Sequence, residues 1–468
     1  MGAIRATAAA VLILTAVAAA ADCVTTARLI STRASNPNLV TGPVAWSGSV
    51  LGVAKTQDGV SNTIWFAVYG EDLQTLVGDR LIASDSREIT DLVWTGTEFG
   101  LFYRTNNQRL HLQRLSMMGD LLGAPIAITP GRTVYTGDEI AVEWSSALDA
   151  YVIARIISQG SFKGPWITLV NHDGVHRSDR TLPVFASPQS NLSLAVTDTG
   201  VIGMFFINLN GSLSYARIEE SGPPDVRAVS QVPGDFIESA ALGNKFVVVH
   251  SVANGPITEI RWLVVDTSHQ VIRADELLLE GSGDNIWPLS LVSANGELAM
   301  AYVDAPDNED LFDKTYRLRR FILDGTVLTD TRFAAADIGA ARAESAYDFV
   351  WSGTSYLQAA FRNSPDRLNS YLLRFCPLSA EITADRAVGR PGEPIVFTAV
   401  PEGGVPSYSY AWTFGDPERV FRTQVVSRTY DRTGTYTATL TVTDTAGATI
   451  TTTYTINVVN VKRRSVRP

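Results

Sequence analysis

An acidic segment between residues 304 and 313 gathers oxygen ligands within ten positions of this 468-residue sequence. Its carboxylates, Asp304, Asp307, Asp310 and Asp313, are of the type that binds a hard cation such as Ca²⁺. The segment lacks the glycine and the ligand spacing of an EF-hand loop, so a solvated acidic loop is the alternative. The sequence indicates no other metal or cofactor.

Two further groups of residues could bind a ligand. Glu88, Asp138 and Asp235 each lie six residues before a motif that recurs along the chain, so their carboxylates would cluster at one rim of a repeat protein. Such a rim could hold a cation or a positively charged partner, with solvated turn acids as the alternative. Phe162 and Trp166 could stack on a sugar or anchor a protein from a loop; alternatively, Trp166 starts a strand and packs in the core.

Residues with a catalytic spacing are sparse. His172 and His176 are four positions apart, but they flank an Asp-Gly turn and lack the helical geometry of a zinc site. No nucleophile elbow, P-loop or dinucleotide fingerprint occurs. Paired carboxylates for glycoside hydrolysis stay open, because such residues meet in space rather than in sequence. We therefore expect no catalytic residues, with an extracellular carbohydrate-active enzyme (a glycoside hydrolase or lyase) as the alternative.

A recurring segment indicates the elements that must position these residues. VAWSG at 44–48, LVWTG at 92–96 and FVWSG at 349–353 are copies of one element, and four weaker copies bring the number to seven. Each copy is followed by an apolar strand, an alternating strand, a turn and a fourth strand. Four short strands in about 50 residues, without helical periodicity, are typical of a β-propeller blade. The sequence predicts an all-β chain with a seven-bladed propeller over 22–378; six or eight blades are the alternatives.

The ends of the repeat predict how the ring closes. The seventh unit stops after its third strand, while 27–31 resembles the fourth strand of the first unit at 79–83. The N-terminal segment would therefore complete the last blade and leave no open edge. Cys23 and Cys376, the only cysteines, would then flank the last turn at a distance suited to a disulfide. Two unrelated buried thiols are the alternative.

Residues 379–460 follow a different pattern. Apolar and threonine residues alternate in GTYTATLTVTD at 434–444, which predicts a strand with one buried face. Together with YAWTFGD at 410–416 and RTY at 428–430, this segment resembles the PKD family of extracellular β-sandwich modules. The resemblance implies an immunoglobulin-like sandwich that holds, spaces and binds but does not catalyse.

The termini and the charge bear on location and partners. Residues 1–21 combine Arg5, an apolar run and small residues, which is typical of a secretory signal peptide; lipidation at Cys23 is an alternative. The chain has 38 Lys and Arg against 48 Asp and Glu, although 461–468 form a basic tail. An acidic surface argues against nucleic acid or anionic membranes as partners. No other apolar run is long enough for a transmembrane anchor.

These observations together predict a secreted protein that is extracellular, periplasmic or associated with the cell surface. We expect a monomer that recognises or adheres to an extracellular polysaccharide or protein. A structural component of a surface assembly is a third interpretation.

Overall fold

The computed structural model describes residues 26–32, 39–57, 63–128, 140–159, 162–182, 192–219, 225–255, 257–281, 285–305, 315–332, 349–364, 367–415, 419–445 and 447–460. Within these ranges the chain forms β-strands and turns and contains no α-helix. Accordingly, this part of the protein has no helix that could cross a membrane. The all-β prediction is therefore confirmed.

The segment before Cys376 folds into antiparallel sheets of four strands, which we number 1 to 7 along the chain. In sheets 1 to 6 the strands follow one another in chain order. Sheet 1 consists of β2 (Leu39–Trp46), β3 (Leu51–Gln57), β4 (Ile64–Tyr69) and β5 (Thr75–Ala83). Sheet 2 consists of β6 (Ser86–Trp94), β7 (Phe99–Thr105), β8 (Leu110–Leu115) and β9 (Ile126–Ala127). Sheet 3 consists of β10 (Ile140–Ser145), β11 (Ala150–Gln159), β12 (Phe162–Asn171) and β13 (His176–Thr181).

The other four sheets repeat this order, except that the last sheet takes one strand from the start of the chain. Sheet 4 consists of β14 (Leu192–Val196), β15 (Ile202–Ile207), β16 (Leu213–Ile218) and β17 (Asp225–Ser230), and sheet 5 of β18 (Asp235–Leu242), β19 (Lys245–Asn254), β20 (Ile257–Asp266) and β21 (Val271–Glu280). Sheet 6 consists of β22 (Asn285–Ala294), β23 (Glu297–Ala305), β24 (Thr315–Phe321) and β25 (Val327–Arg332). Sheet 7 consists of β26 (Phe349–Trp351), β27 (Tyr356–Ser364), β28 (Arg367–Phe375) and β1 (Thr26–Thr32).

Sheet 7 joins the two ends of this region. Strand β1 pairs antiparallel with β28, with Thr26 opposite Arg374 and Leu29 opposite Tyr371. The predicted completion of the last sheet by the N-terminal strand is therefore confirmed. In addition, the first strand of sheet 7 contacts the first strand of sheet 1, so the first and last sheets are neighbours.

Consecutive sheets pack face to face through small residues that make room for aromatic rings. Glycines at the start of a second strand leave space for a ring from the next sheet. A Cβ atom added at Gly52 would lie 2.9 Å from the ring of Phe99, and one at Gly100 would lie 2.4 Å from Tyr151 Oη. Because interiors are close-packed, these contacts fix the distance between neighbouring sheets.

A second recurring contact links the outer parts of consecutive sheets. In each case an arginine on the third or fourth strand of one sheet donates to the hairpin between the third and fourth strands of the next. Within the described residues there are six such contacts: Arg28 with Leu73 O, Arg80 with Asp120, Arg114 with Asp173, Arg180 with Glu219 O, Arg217 with Thr267 O and Arg273 with Asp324 O. The first of these joins sheet 7 to sheet 1, so the arrangement is propeller-like.

Residues after Cys376 form two further sheets that enclose a separate core. The sheets have the orders β29-β31-β33 and β30-β35-β34-β32. Their strands are β29 (Ser379–Ala384), β30 (Val388–Gly389), β31 (Pro394–Glu402), β32 (Ser409–Thr413), β33 (Val425–Thr429), β34 (Gly434–Thr443) and β35 (Thr449–Val458). Trp412 is fully buried between them, where its indole N–H donates to Thr423 O at 2.9 Å. The predicted alternation in β34 holds, because Ala438, Leu440 and Val442 are buried.

Candidate functional site

A cavity of about 470 Å³ lies where the first strands of sheets 1 to 7 come together. All seven first strands contribute to its lining, from Val44 in β2 to Phe349 in β26. We call this cavity the channel. The first strands of sheets 1 to 7 therefore surround a common centre.

Hydrogen bonds between first strands hold the channel wall together. Asp91 Oδ2 accepts a hydrogen bond from Val142 N at 2.9 Å, and Ser193 Oγ accepts one from Ser239 N at 3.0 Å. Ser290 Oγ accepts a third from Phe349 N at 3.3 Å. These bonds join corresponding positions of consecutive repeats, so the first strands run in the same direction at the same height. We call the end where they begin the N-terminal rim.

The opposite end carries the tryptophans of the repeated motif. Trp46, Trp94, Trp144 and Trp351 are partly buried, and each packs against a hydrophobic cluster between two sheets. The rings of Trp94 and Phe99 are 4.7 Å apart, and those of Trp144 and Tyr151 are 4.9 Å apart. The recurring tryptophans therefore contribute to the packing between sheets.

The channel wall is acidic. Its lining includes Asp91, Glu143 and Glu238 but no lysine, arginine or histidine from the described residues. Asp91 is engaged by the wall itself, since Oδ1 also accepts a hydrogen bond from Leu92 N at 2.8 Å. A ligand in the channel would therefore meet carboxylate and hydroxyl oxygens between apolar side chains.

The acids predicted at the N-terminal rim have different environments. Glu88 pairs with Arg104, whose NH2 lies 2.5 Å from Glu88 Oε2 and whose side chain is 5% exposed. Asp235 begins β18 and is exposed, although partial burial raises its pKa above the ordinary value. Asp138 lies outside the described residues. The structure therefore puts Glu88 and Asp235 on first strands, as the repeat predicts, but Glu88 already has a cationic partner.

A buried network in sheet 5 was not predicted. Asp275 on β21 accepts hydrogen bonds from His250 Nε2 at 3.0 Å, from Arg261 Nε at 3.0 Å and from Ser230. Burial raises the pKa of Asp275, but these hydrogen bonds outweigh it and hold that pKa below the ordinary value. Because Ser230 donates to Asp275 rather than to His250, the histidine cannot act as a general base toward this serine. The network is structural.

Acids at the same place on the fourth strand form similar networks in other sheets. Asp79 pairs with buried Lys55 at 2.5 Å, Asp179 accepts from Trp166 and Thr168, and Asp330 accepts from Tyr302 and two arginines. The sequence signal was an aspartate within the fourth strand of four sheets (β5, β13, β21 and β25), which solvent exposure would also have explained.

The aromatic candidates are only partly described. The sequence suggested a loop for Trp166, but the residue lies inside β12 and is 8% exposed. Its indole N–H donates to Asp179 Oδ1 at 3.2 Å, and the guanidinium of Arg155 lies 5.7 Å from its ring centre. This burial supports the alternative that Trp166 packs in the core. Phe162 begins the same strand, opposite Gln159, and its side chain is not described.

The candidate metal loop and the disulfide depend on residues that the structure does not describe. Asp304 is partly buried near the end of β23, whereas Asp307, Asp310 and Asp313 lie outside the described ranges. In the described part of the chain, no group of three or more His, Cys, Asp or Glu residues is arranged to hold a metal ion. Cys376 is fully buried and is not a free thiol, but Cys23 is also outside these ranges. The Ca²⁺ site and the Cys23–Cys376 pairing stay predictions.

Three similar solved structures are distant from this chain. A prolyl endopeptidase is 11% identical with a TM-score of 0.43; the alignment covers 87% of this chain but only 55% of that one, so this chain spans about half its length. AofleA from Arthrobotrys oligospora is 13% identical over 65% of this chain and 89% of that chain, with a TM-score of 0.42. The SapL1 lectin, solved with alpha methyl fucoside, is 9% identical over 60% of this chain and 92% of that chain, with a TM-score of 0.39. At these TM-scores the likenesses do not bear on what this protein binds.

Sequence comparison gives a clearer result for the C-terminal sheets. No curated protein matches the chain. The PKD domain family, however, matches residues 377–458, which include all the strands from β29 to β35. The C-terminal module of this chain is therefore a PKD domain.

Proposed function

We propose that this chain is an exported, non-catalytic recognition protein. It consists of a seven-bladed β-propeller over 22–378, which binds an extracellular polysaccharide or protein, and a PKD domain over 379–460, which spaces the propeller from other structures. The observation that carries the proposal is the channel: seven first strands surround one cavity with acidic and hydroxyl groups in its wall. Binding sites of proteins are typically concave, with a few polar groups between apolar ones.

The PKD domain supports the location outside the cytoplasm. PKD domains are typical of extracellular proteins, and residues 377–458 match this family. The predicted signal peptide over 1–21 and the predicted disulfide between Cys23 and Cys376 are consistent with export into an oxidising compartment. We expect the protein to act as a monomer.

The short connection between the two parts supports a role for the PKD domain as a spacer. Only Cys376, Pro377 and Leu378 separate β28 from β29. Leu378 is buried in the PKD core, and Gly404 N of this domain donates to Cys376 O at 2.8 Å. A connection held in this way limits rotation between the propeller and the PKD domain.

A carbohydrate-active enzyme is the second candidate. Asp91, Glu143 and Glu238 line the same channel, and glycoside hydrolases use two carboxylates about 5–10 Å apart. Against this candidate, both oxygens of Asp91 accept hydrogen bonds from backbone N–H groups, which stabilises its ionised form and opposes a role as general acid.

The experiment that tests the proposal is binding of the mature protein to arrays of polysaccharides and extracellular proteins, with and without Ca²⁺, with detection of released sugar. We expect binding without turnover. Binding that is lost on chelation would support Ca²⁺ at the acidic segment 304–313. Release of shortened sugar would overturn the non-catalytic proposal in favour of the enzyme, whereas a protein that binds nothing on either array would refute recognition.

A further inference from the structure

The tryptophans of the repeated motif are concentrated on one side of the channel. The first strands of sheets 7, 1, 2 and 3 each contact the next, and each carries a tryptophan at or next to its C-terminal end. These residues are Trp351, Trp46, Trp94 and Trp144. The position that pairs across the first hairpin in the same way in sheets 4 to 6 holds the smaller residues Val196, Ala241 and Ser293. One side of this end of the channel is thus built with indoles and the other with small side chains.

Three of the four tryptophans belong to the channel lining. Trp46, Trp94 and Trp144 line the cavity, whereas Trp351 is not among the described residues that line it. All four are partly exposed. We call the part of the channel lined by Trp46, Trp94 and Trp144 the tryptophan end. It lies opposite the N-terminal rim.

The indole N–H groups at the tryptophan end have no acceptor in the protein. In the described part of the chain, neither Trp46 nor Trp94 donates a hydrogen bond, and their N–H groups reach solvent. The N–H of Trp144 also lacks an acceptor, although it is shielded from solvent. Trp166 and Trp412, in contrast, donate to Asp179 and to Thr423 O. The tryptophan end therefore offers hydrogen-bond donors that the fold itself does not use.

Packing between sheets does not by itself explain these residues. The ring of Trp94 lies 4.7 Å from that of Phe99, so its aromatic surface contributes to the core. Sheets 4 to 6, however, form the same hairpin with Val196, Ala241 or Ser293 at this position. The repeat therefore tolerates a small side chain here, and a phenylalanine would supply an aromatic ring without an N–H group.

The chemistry of the tryptophan end selects an uncharged ligand. Valines such as Val93 and Val292 line the cavity beside the indoles, and the polar groups of the indoles are donors only. Donors repel a cation, and an apolar surface disfavours any charge. A pyranose has C–H groups on its faces and hydroxyl oxygens at its edge, and each hydroxyl can accept two hydrogen bonds. A peptide would bring N–H groups for which the indoles offer no acceptor.

We propose that the tryptophan end of the channel binds an uncharged sugar residue of a polysaccharide, to whose oxygens Trp46 and Trp94 donate hydrogen bonds through their indole N–H groups. The proposal rests on the recognition function proposed above and names its ligand class and its site. The cavity volume of about 470 Å³ lies within the range of about 300–1,000 Å³ that is typical of ligand sites. The small side chains of sheets 4 to 6 leave space for the sugar on the other side.

The decisive variants are Trp46→Phe and Trp94→Phe, which remove the N–H group and keep an aromatic ring. Trp351→Phe is the matched control. Trp351 has the same place in the motif, its ring lies 4.5 Å from that of Tyr356, and its N–H also lacks an acceptor in the described chain. Because Trp351 does not line the cavity, a purely structural role would affect all three variants alike, whereas a binding role would separate the first two from the third.

Binding of cellohexaose, chitohexaose and the glucosamine hexamer is measured by calorimetry for the full-length mature protein and the three variants. The last two sugars differ only in the acetyl groups, whose loss leaves amines that are cationic. We expect the native protein to bind cellohexaose or chitohexaose more tightly than the glucosamine hexamer. Trp46→Phe and Trp94→Phe should each weaken that binding about three- to tenfold, the effect of one lost hydrogen bond, and Trp351→Phe should leave it unchanged.

The indole N–H resonances give a second readout in the native protein. Spectra of ¹⁵N-labelled protein are recorded during the sugar titration, and the three variants assign the signals. We expect the N–H resonances of Trp46 and Trp94 to shift on binding and that of Trp351 to stay in place.

The results that overturn the inference can be told apart from a failure of the proposed function. Equal binding by the native protein and the three variants, or an equal loss in all three, would refute the site at the tryptophan end and leave recognition standing. Preference for the glucosamine hexamer, or binding of proteins but of no neutral sugar, would refute the ligand class alone. A native protein that binds none of these sugars and nothing on the arrays would refute the proposed function as well.

Discussion

The contact between sheets 7 and 1 through Glu71 gives the sharpest test of how these two sheets are joined. Glu71 lies in the hairpin after β4, and its Oε1 accepts hydrogen bonds from the hydroxyls of Ser352, Thr354 and Ser355 at the first hairpin of sheet 7. These residues are more than 280 positions apart in the chain. We predict that Glu71→Gln destabilises the N-terminal region by weakening the junction between sheets 7 and 1.

The size of the effect follows from the three hydrogen bonds. A bond to a charged group contributes about 1.5–3 kcal/mol to stability, but Glu71 is partly exposed and Gln keeps an oxygen acceptor. We therefore expect a loss of about 1–2 kcal/mol, measured as a lower urea midpoint with an unchanged slope. Thr354→Val should lower the free energy of unfolding less in the Glu71→Gln background than in the native protein, because the two residues share one interaction.

The pH dependence supplies an independent readout. Burial raises the pKa of Glu71, but the hydrogen bonds from the three hydroxyls, together with Arg374, outweigh it and lower that pKa below 4.5. For a carboxyl whose folded pKa is depressed, the stabilisation is complete above the unfolded pKa and is lost as the pH falls through the folded value. The difference in stability between the native protein and Glu71→Gln should therefore shrink below about pH 4.5.

The neighbouring acid Asp72 is the control. It is exposed and accepts a hydrogen bond from Gln74 N within its own hairpin, so Asp72→Asn should leave the urea midpoint nearly unchanged. If Glu71→Gln has the same urea midpoint as the native protein at pH 7, or the same loss of stability at pH 7 and pH 3.5, the assigned role of Glu71 in joining sheets 7 and 1 is incorrect.

Three further predictions follow from the packing and the charges. Gly100→Val should destabilise the N-terminal region by about 1–3 kcal/mol in urea unfolding, because the new side chain overlaps Tyr151. Gly78→Ala, with open space at its Cβ, should be neutral, and equal stabilities of the two variants would contradict the assigned packing. Asp275→Asn should lower the free energy of unfolding by about 3 kcal/mol at pH 7, since it leaves buried His250 without its ionised partner. Because the pKa of Asp275 is lowered, the difference in stability between this variant and the native protein should decrease as the pH falls below 3.8. If the acidic segment that begins at Asp304 binds Ca²⁺, millimolar Ca²⁺ should raise the melting temperature and a chelator should reverse the rise, whereas an unchanged melting curve would count against a metal there.

The order and type of the elements could be predicted because they depend on local side-chain patterns. The motif around Trp46, Trp94 and Trp351 marks the ends of first strands, and alternation in β34 marks a strand with one buried face. Even the pairing of β1 with β28 was predictable, because 27–31 resembles another fourth strand. A periodic pattern determines which face of a strand is buried, whatever lies at the other end of the chain.

The partners of individual polar residues could not be predicted in this way. The sequence singled out Glu88 as a candidate ligand, but the fold brings it to Arg104 on the adjacent strand. The sequence suggested that Trp166 lies in a loop and binds a ligand, but the residue lies in β12 and is buried beside Asp179. Whether a polar or aromatic side chain is exposed depends on register and on the neighbouring strand, and neither can be seen in a local window of sequence.

The β-bulge at Phe236 shows most clearly what only the tertiary structure decided. In the sequence Phe236 is one apolar residue beside Asp235, at the start of an apolar strand, and it would be assigned to the core. The fold instead inserts a bulge there, because Ile237 takes the buried position opposite His250. The sequence by itself determined the repeat, the strands and the PKD domain, since these follow from short-range alternation and turns. The register of β18 against β19 depends on packing between sheets, so only the tertiary structure decides which side chain of this strand is buried.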